Sequence, residues 1–317
     1  MGPHLIERLI SHGNRCRCLV RRDSKTEALE KLSVDLVKGD ITKPDTLRGI
    51  ADGVNGLFHM ATLGHMSNFT VTETMFESVN VQGTVNIMNE CLRSGVEKIV
   101  HCSTVAAMGI CTDMPTTEQS KCFPHHPYGR SKLRAEEAVL NMVSESGLPA
   151  TLIRFSMVYG PGDWRDMLRL TRMAKKGLFP KIGSRPKLTP LIHVDDAVQG
   201  LLLAMKAGRV GDIYLITNQQ SQPFDKIIRI LQKALGVSSF PLYIPTWLAL
   251  AAASIMEGLF SVVGKAPPIS RKNIESTLAD RVFSIEKAQK ELGFNPQVDP
   301  EVGLRETVLW YKNHDWI

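Results

Sequence analysis

The sequence predicts an α/β fold: a doubly wound, mostly parallel sheet followed by a smaller, helix-rich lobe. Three observations carry this expectation. Short β-like runs alternate with helical segments from residue 15 to about 160, the alternation stops after "VYGPGD" at 158–163, and helical segments dominate the remainder of the chain. Parallel strands need long crossover connections, and helical crossovers cover both faces of the sheet they join.

In the opening "MGPHLIERLISHGNRCRCLV", Leu5, Ile6, Leu9 and Ile10 recur on one helical face, and Gly13 and Asn14 close the helix. "CRCLV" then reads as a strand, and a helix feeding a strand is the second half of a βαβ unit. The strand and glycine-rich turn that would open the unit are missing from the sequence, and only Gly2 stands where such a turn would finish. The expectation is a clipped start; the alternative is a shortened protein that binds its nucleotide poorly. Further strands are expected at "VDLVKGD" (34–40), "GLFHMA" (56–61), "EKIVHCST" (97–104) and "ATLIRFS" (150–156). Helices are expected around 24–31, 43–52, 70–94 and 127–146. Beyond residue 160, one strand at "DIYLIT" (212–217) is joined by helices near 223–235, 246–261, 270–278, 284–291 and 301–313. The expected division is a nucleotide-binding domain over 1–160 and a substrate-binding lobe over 161–317.

Composition narrows the function. A chain of 317 residues with 43% hydrophobic and 22% charged residues can bury a large core and is ordinary for a soluble protein. The formal charge of +6 is mild, and the densest basic stretch, "MAKKGLFPK" at 173–181, carries no interleaved run of aromatics. A nucleic-acid partner is therefore not expected. The six cysteines show no zinc spacing and read as reduced thiols of a cytoplasmic protein. An amphipathic helix from residue 4 onward is not a secretory signal, so the sequon "NFT" at 68–70 carries no weight. The apolar segment 244–264, "IPTWLALAAASIMEGLFSVVG", is interrupted by Glu257 and begins with Pro245. It is read as a helix of the lobe, with contact to a membrane surface as the second reading, because a central carboxylate is costly in a span.

The chemistry concentrates in "PYGRSK" at 127–132. Tyr128 and Lys132 lie one turn apart at the start of a helix and project from the same face. A nearby ammonium favours the phenolate and is expected to lower the tyrosine pKa from about 10, making Tyr128 a proton donor or acceptor. Taken alone, such a pair is common on helices. Upstream, the apolar strand "IVHCST" ends in Ser103 and Thr104, and strand ends of open α/β sheets are where ligands bind. Hydroxyls there either cap a turn or face a substrate. Ser103 is assigned to capping and Thr104 to the substrate.

With "GD" (39–40), "HMAT" (59–62), "NVQGT" (80–84), "ST" (103–104), "YGRSK" (128–132), "RFSMVYGPGD" (154–163) and "HVDDAVQG" (193–200), nearly the whole chain resembles the extended short-chain dehydrogenases/reductases, the NAD-dependent epimerase/dehydratase superfamily. The resemblance implies a Rossmann-like fold, a bound NAD or NADP, and a catalytic set that falls on Tyr128, Lys132 and Thr104. It implies cofactor contacts at Gly2, at Asp40 and Ile41 near the adenine, at Met60, Ala61 and Thr62 along the dinucleotide, and at Asn80, with Lys132 also holding the nicotinamide ribose. Arg21 and Arg22 end the strand where an acidic residue would select NAD, and arginine there accommodates a 2′-phosphate, which favours NADP. The competing reading leaves both as solvated surface charges.

Sugar-nucleotide members usually carry an Asn before the Val-Tyr-Gly and an Arg before the "HV" segment. Here Met157 and Thr189 stand at those places, with Arg185 and Lys187 as nearby substitutes. "WLALAAASIMEGLF", "PPISRKNI" and the C-terminal "FSIEKAQKELGFNPQVDPEVGLRETVLWY" resemble the 3β-hydroxysteroid dehydrogenase and dihydroflavonol-reductase-like branch. The resemblance implies an NAD(P)-dependent oxidoreductase of an apolar secondary alcohol or ketone. A sugar-nucleotide epimerase or dehydratase and a catalytically silent NAD(P)-binding protein are the alternatives. The expected partner is a small molecule, and the branch is compatible with a homodimer.

Overall fold

The structure, a computed structural model, describes residues 1–64, 71–111, 113–183, 187–237, 240–262 and 278–317. The sequon at 68–70, Arg185 and most of the helix expected at 270–278 lie outside these residues. The chain begins α1 (Gly2–Ser11), β1 (Cys16–Val20), α2 (Glu27–Glu30), β2 (Val34–Lys38) and β3 (Gly56–His59). A long helix comes next in two pieces, α3 (Glu73–Phe76) and α4 (Gly83–Ser94), joined by a π-turn at Glu77–Gln82. Beyond it lie β4 (Lys98–Thr104), α5 (Pro127–Ser146), β5 (Ala150–Phe155), β6 (Met157–Tyr159) and α6 (Asp166–Lys175). The chain continues through β7 (Leu178–Ile182), β8 (Leu188–Thr189), β9 (Leu191–His193), α7 (Val194–Ala207) and β10 (Ile213–Ile216). The C-terminal part adds β11 (Gln222–Pro223), α8 (Phe224–Leu235), β12 (Phe240–Ile244), α9 (Thr246–Val262), α10 (Glu286–Leu292) and α11 (Pro300–Asn313).

The main sheet is parallel, in the order β10-β5-β4-β3, and β1 pairs in parallel with β2 as a separate ladder. Successive side chains of a strand point to opposite faces, and the core divides accordingly. Ile99 of β4 and Leu152 of β5 face α4 and α5, where they pack with Ile87, Met88 and Val139. Their neighbours Val100 and Ile153 face α1, α7 and α10, where they pack with Leu5, Val198, Leu201 and Ala288. This is the doubly wound arrangement expected, with helices on both faces.

At several places the structure departs from expectation. The helix expected at 43–52 is only a 3₁₀ turn at Pro44–Thr46, because Gly49 and Gly53 take left-handed backbone that a helix cannot continue through. The segment 24–31 yields the single turn α2. The strand placed with the C-terminal lobe, "DIYLIT", instead extends the main sheet: Ile213 to Ile216 pair with Leu152 to Phe155. The sheet therefore draws a strand from beyond the boundary at 160. α6, α7 and the short ladders β6-β9, β7-β12 and β8-β11 are additions to the expected elements. The helix expected at 246–261 forms as α9, and among the described residues no helix is long and apolar enough to cross a membrane. Trp247 and Ile255 stand exposed on it.

Candidate active site

The site is assembled at the C-terminal ends of β3 and β4, where an open parallel sheet presents its ligand crevice. β4 runs out at Thr104, whose hydroxyl oxygen accepts from the Ala106 amide at 3.2 Å and caps a short 3₁₀ turn, Val105–Ala107. α5 starts at Pro127, whose missing N–H costs nothing in a first turn, and the Nδ1 of His126 accepts from the Tyr128 amide at 3.2 Å. Gly129 lets this helix press onto the turn: a Cβ there would collide with the Ala106 carbonyl oxygen. Tyr128, Lys132 and Thr104 thereby share the wall of one cavity of about 1590 Å³ with Met60, Ala61 and Thr62.

The lysine is the most constrained of the three. The residue is 2% exposed, and its Nζ donates to the Cys102 carbonyl at 2.8 Å and lies 3.4 Å from the Nε2 of His101. Burial pulls its pKa down to about 8, against Glu136 and Cys102, which hold it up. Tyr128 departs from expectation. Burial pushes its phenol above the usual value, only partly offset by the charge of Arg165 and the hydroxyls of Thr62 and Thr104 beside it. The lysine ammonium donates to the Cys102 carbonyl, and burial holds Tyr128 protonated.

Thr104 faces the cavity as expected, but the capping assigned to Ser103 also falls to Thr104. Ser103 donates to the carboxylate of Glu136, which Arg154 grips with Nε at 3.1 Å from both oxygens and Nη2 at 2.6 Å from one. This buried pair ties β4, α5 and β5 together behind the site.

Asn80 sits in the π-turn and spends its polar atoms inward. Its Oδ1 accepts from the Leu63 amide at 2.7 Å and the Thr62 hydroxyl at 3.0 Å; its Nδ2 donates to the Leu63 carbonyl at 3.1 Å and to Ser131 at 2.9 Å. It braces the 62–63 loop against α5 and is not on the cavity wall. Gly2, Arg21, Arg22, Asp40 and Ile41 are not on that wall either. Gly2 begins α1 without left-handed backbone. Arg21 and Arg22 are exposed, with the Arg21 Nε 3.5 Å from Asp23. Asp40 accepts from the Thr42 amide at 2.9 Å and hydroxyl at 2.8 Å, which keeps its carboxyl below the usual range. Ile41 is buried, with its carbonyl accepting from Asn86 at 2.7 Å.

Residues missed by sequence reasoning also line the cavity. Arg165, stacked over Trp164 at 4.7 Å, reaches across to Gly64, and Arg169 and Arg281 also face the cavity. The run "GDWRDMLR" at the end of "VYGPGD" carries that signal. The arrangement suits a nicotinamide ribose at its inner end, where a buried ammonium and the unpartnered buried hydroxyl of Ser156 face open volume.

Residues 1–217 match the NAD dependent epimerase/dehydratase family. The chain belongs to this family. A mouse protein, short-chain dehydrogenase/reductase family 42E member 1, is 31% identical over 83% of this chain and 72% of its own length. A Synechocystis protein provisionally named dihydroflavonol 4-reductase is 28% identical, over 100% of this chain and 93% of its own. Among solved structures, that of gox2253 superposes with a TM-score of 0.88 at 28% identity, covering 100% and 96% of the two chains. UDP-glucose 4-epimerase of Thermotoga maritima, solved with UDP-glucose, superposes with a TM-score of 0.81 at 22% identity, covering 99% and 96%.

Proposed function

We propose that this family member is an NAD(P)-dependent oxidoreductase acting on a secondary alcohol or ketone within an apolar substrate. The observation that carries the reading is the meeting of Tyr128, Lys132 and Thr104 on one large cavity. When bound, the nicotinamide supplies the acceptor or donor of hydride. In reduction Tyr128 gives its phenolic proton to the substrate oxygen, and in oxidation it takes that proton from the hydroxyl. Its raised pKa keeps the proton in place and suits the reducing direction. Thr104 orients the substrate oxygen, and the Lys132 ammonium, one turn along α5, stabilises negative charge as it develops. The exposed arginines at the end of β1 support NADP over NAD; Arg21→Asp is expected to narrow or reverse any preference for NADPH.

The apolar substrate is supported by Met157 and Thr189, which line the cavity where the resemblance to sugar-nucleotide enzymes would call for Asn and Arg. A diphosphate needs compensating charge when it leaves water, whereas a ketone needs an apolar cavity and a few polar atoms. Arg165, Arg169 and Arg281 favour the second reading, a sugar-nucleotide epimerase or dehydratase. Calorimetry with the dinucleotide present decides between them. Steroid- or flavonoid-like ketones are expected to bind and UDP- or dTDP-sugars to fail; micromolar binding of a nucleotide sugar, with none for the ketones, reverses the choice.

A further inference from the structure

Directly behind Lys132 lie two buried histidines that the proposed proton transfer leaves unused. His59 of β3 and His101 of β4 are opposite one another in the ladder, and their rings stack with centroids 5.3 Å apart and planes 29° from parallel. His101 is fully buried. Its Nε2 lies 3.4 Å from the Lys132 Nζ, while its Nδ1 is buried with no hydrogen-bond partner.

The hydrogen bonds assign the protons. Thr84 donates its hydroxyl proton to the Asn80 carbonyl at 2.7 Å, so toward His59, at 2.9 Å, it acts as acceptor and His59 carries its proton on Nε2. An ammonium has only donors, so a charged Lys132 requires a bare Nε2 on His101 and places that imidazole's proton on Nδ1. A buried N–H without a partner is costly. In return, this form gives Lys132 a second acceptor beside the Cys102 carbonyl. Burial keeps both imidazoles neutral, His59 with its pKa pulled down to about 3 and His101 well below its usual value, so neither competes with the lysine for charge.

We propose that His101 is a positioning residue for Lys132: it accepts a hydrogen bond from the ammonium, holds it at the cavity wall together with the Cys102 carbonyl, and sets the pH at which it loses its proton, with His59 backing the ring. The other titratable groups facing Lys132 are Glu136 and Cys102, and Tyr128 lies one turn away on α5. The consequence for catalysis rests on the proposed function; the titration itself does not.

The test is an NMR titration of protein carrying ¹³Cε-lysine, with the Lys132 signal identified by its loss in Lys132→Arg. The wild-type midpoint is expected near 8. In His101→Leu the acceptor is gone and the midpoint falls by about one pH unit, a tenfold change in proton affinity. In His101→Gln the amide oxygen accepts and restores it. A midpoint unmoved or raised in His101→Leu overturns the proposal. Should that variant fail to fold, ¹⁵N-histidine spectra of the wild type decide: a bare Nε2 on His101 at pH 7 supports the proposal, and a protonated one overturns it. If the lysine midpoint moves while the pH profile of ketone reduction does not, His101 keeps its role and the assignment of Lys132 to the reaction is what fails.

Discussion

Replacing Arg154 by methionine leaves the Glu136 carboxylate in the interior with Ser103 as its remaining side-chain donor. The Arg154 and Glu136 side chains are 4% and 1% exposed, so water cannot take over the lost bonds. Three N–H to oxygen contacts disappear, two at 3.1 Å and one at 2.6 Å. Removing one member of a buried ion pair typically costs about 3–5 kcal/mol, because the survivor is an uncompensated charge. Methionine returns part of the lost packing, which puts the expectation at about 3 kcal/mol. Urea denaturation followed by circular dichroism at pH 7 measures it. The double variant Glu136→Met/Arg154→Met removes both charges and should recover most of the loss. A single-variant loss below about 1 kcal/mol, or a double variant no more stable than the single, would show that the pair is not isolated from solvent.

The same geometry fixes other outcomes. Tyr128→Phe should reduce turnover of an identified substrate by roughly two to four orders of magnitude while leaving dinucleotide affinity nearly unchanged; unchanged turnover removes the phenol from the reaction. His59, held down to about 3, and His101, held well below its usual value, stay neutral in the fold, while the unfolded chain takes up these protons below about 6.5. Stability should therefore fall as pH drops below about 6.5, by up to about 1.4 kcal/mol per pH unit for each histidine. A urea midpoint that stays flat between pH 6.5 and 5 refutes this. Asn80→Leu leaves the Leu63 amide and carbonyl without their side-chain partner and should cost about 2–4 kcal/mol. It should also weaken dinucleotide binding, a double loss that paired denaturation and binding titrations can check.

Legibility in the sequence tracks how local each cause is. α5 matches the expected 127–146 because Pro127 opens it and Gly147, with left-handed backbone, closes it. β1 and β5 are readable because short apolar runs stand between turn residues. The partner of Ile213–Ile216 is not readable, since pairing is decided by the fold and not by the run itself. Tyr128, Lys132 and Thr104 are readable as a set through the resemblance, but the lysine's aim is not. It depends on the Cys102 carbonyl and on His101, which belong to β4 and not to the helix that carries the lysine. The Glu136–Arg154 pair leaves two traces: an arginine inside "ATLIRF", and a carboxylate four residues beyond Lys132 on the same helical face.

The π-turn at Glu77–Gln82 bears on how this protein can change over time. Such a turn is in effect an α-helix carrying one additional residue. Deleting a single residue there would restore the regular spiral and turn Asn80 by about 100° about the helix axis, away from Leu63. No substitution at position 80 is needed to disable the brace. The number of residues between Thr72 and Gly95 is thus itself a structural character, inherited as length rather than as side chains. Relatives that keep an asparagine at this point but differ by one in that count would present it to a different neighbour.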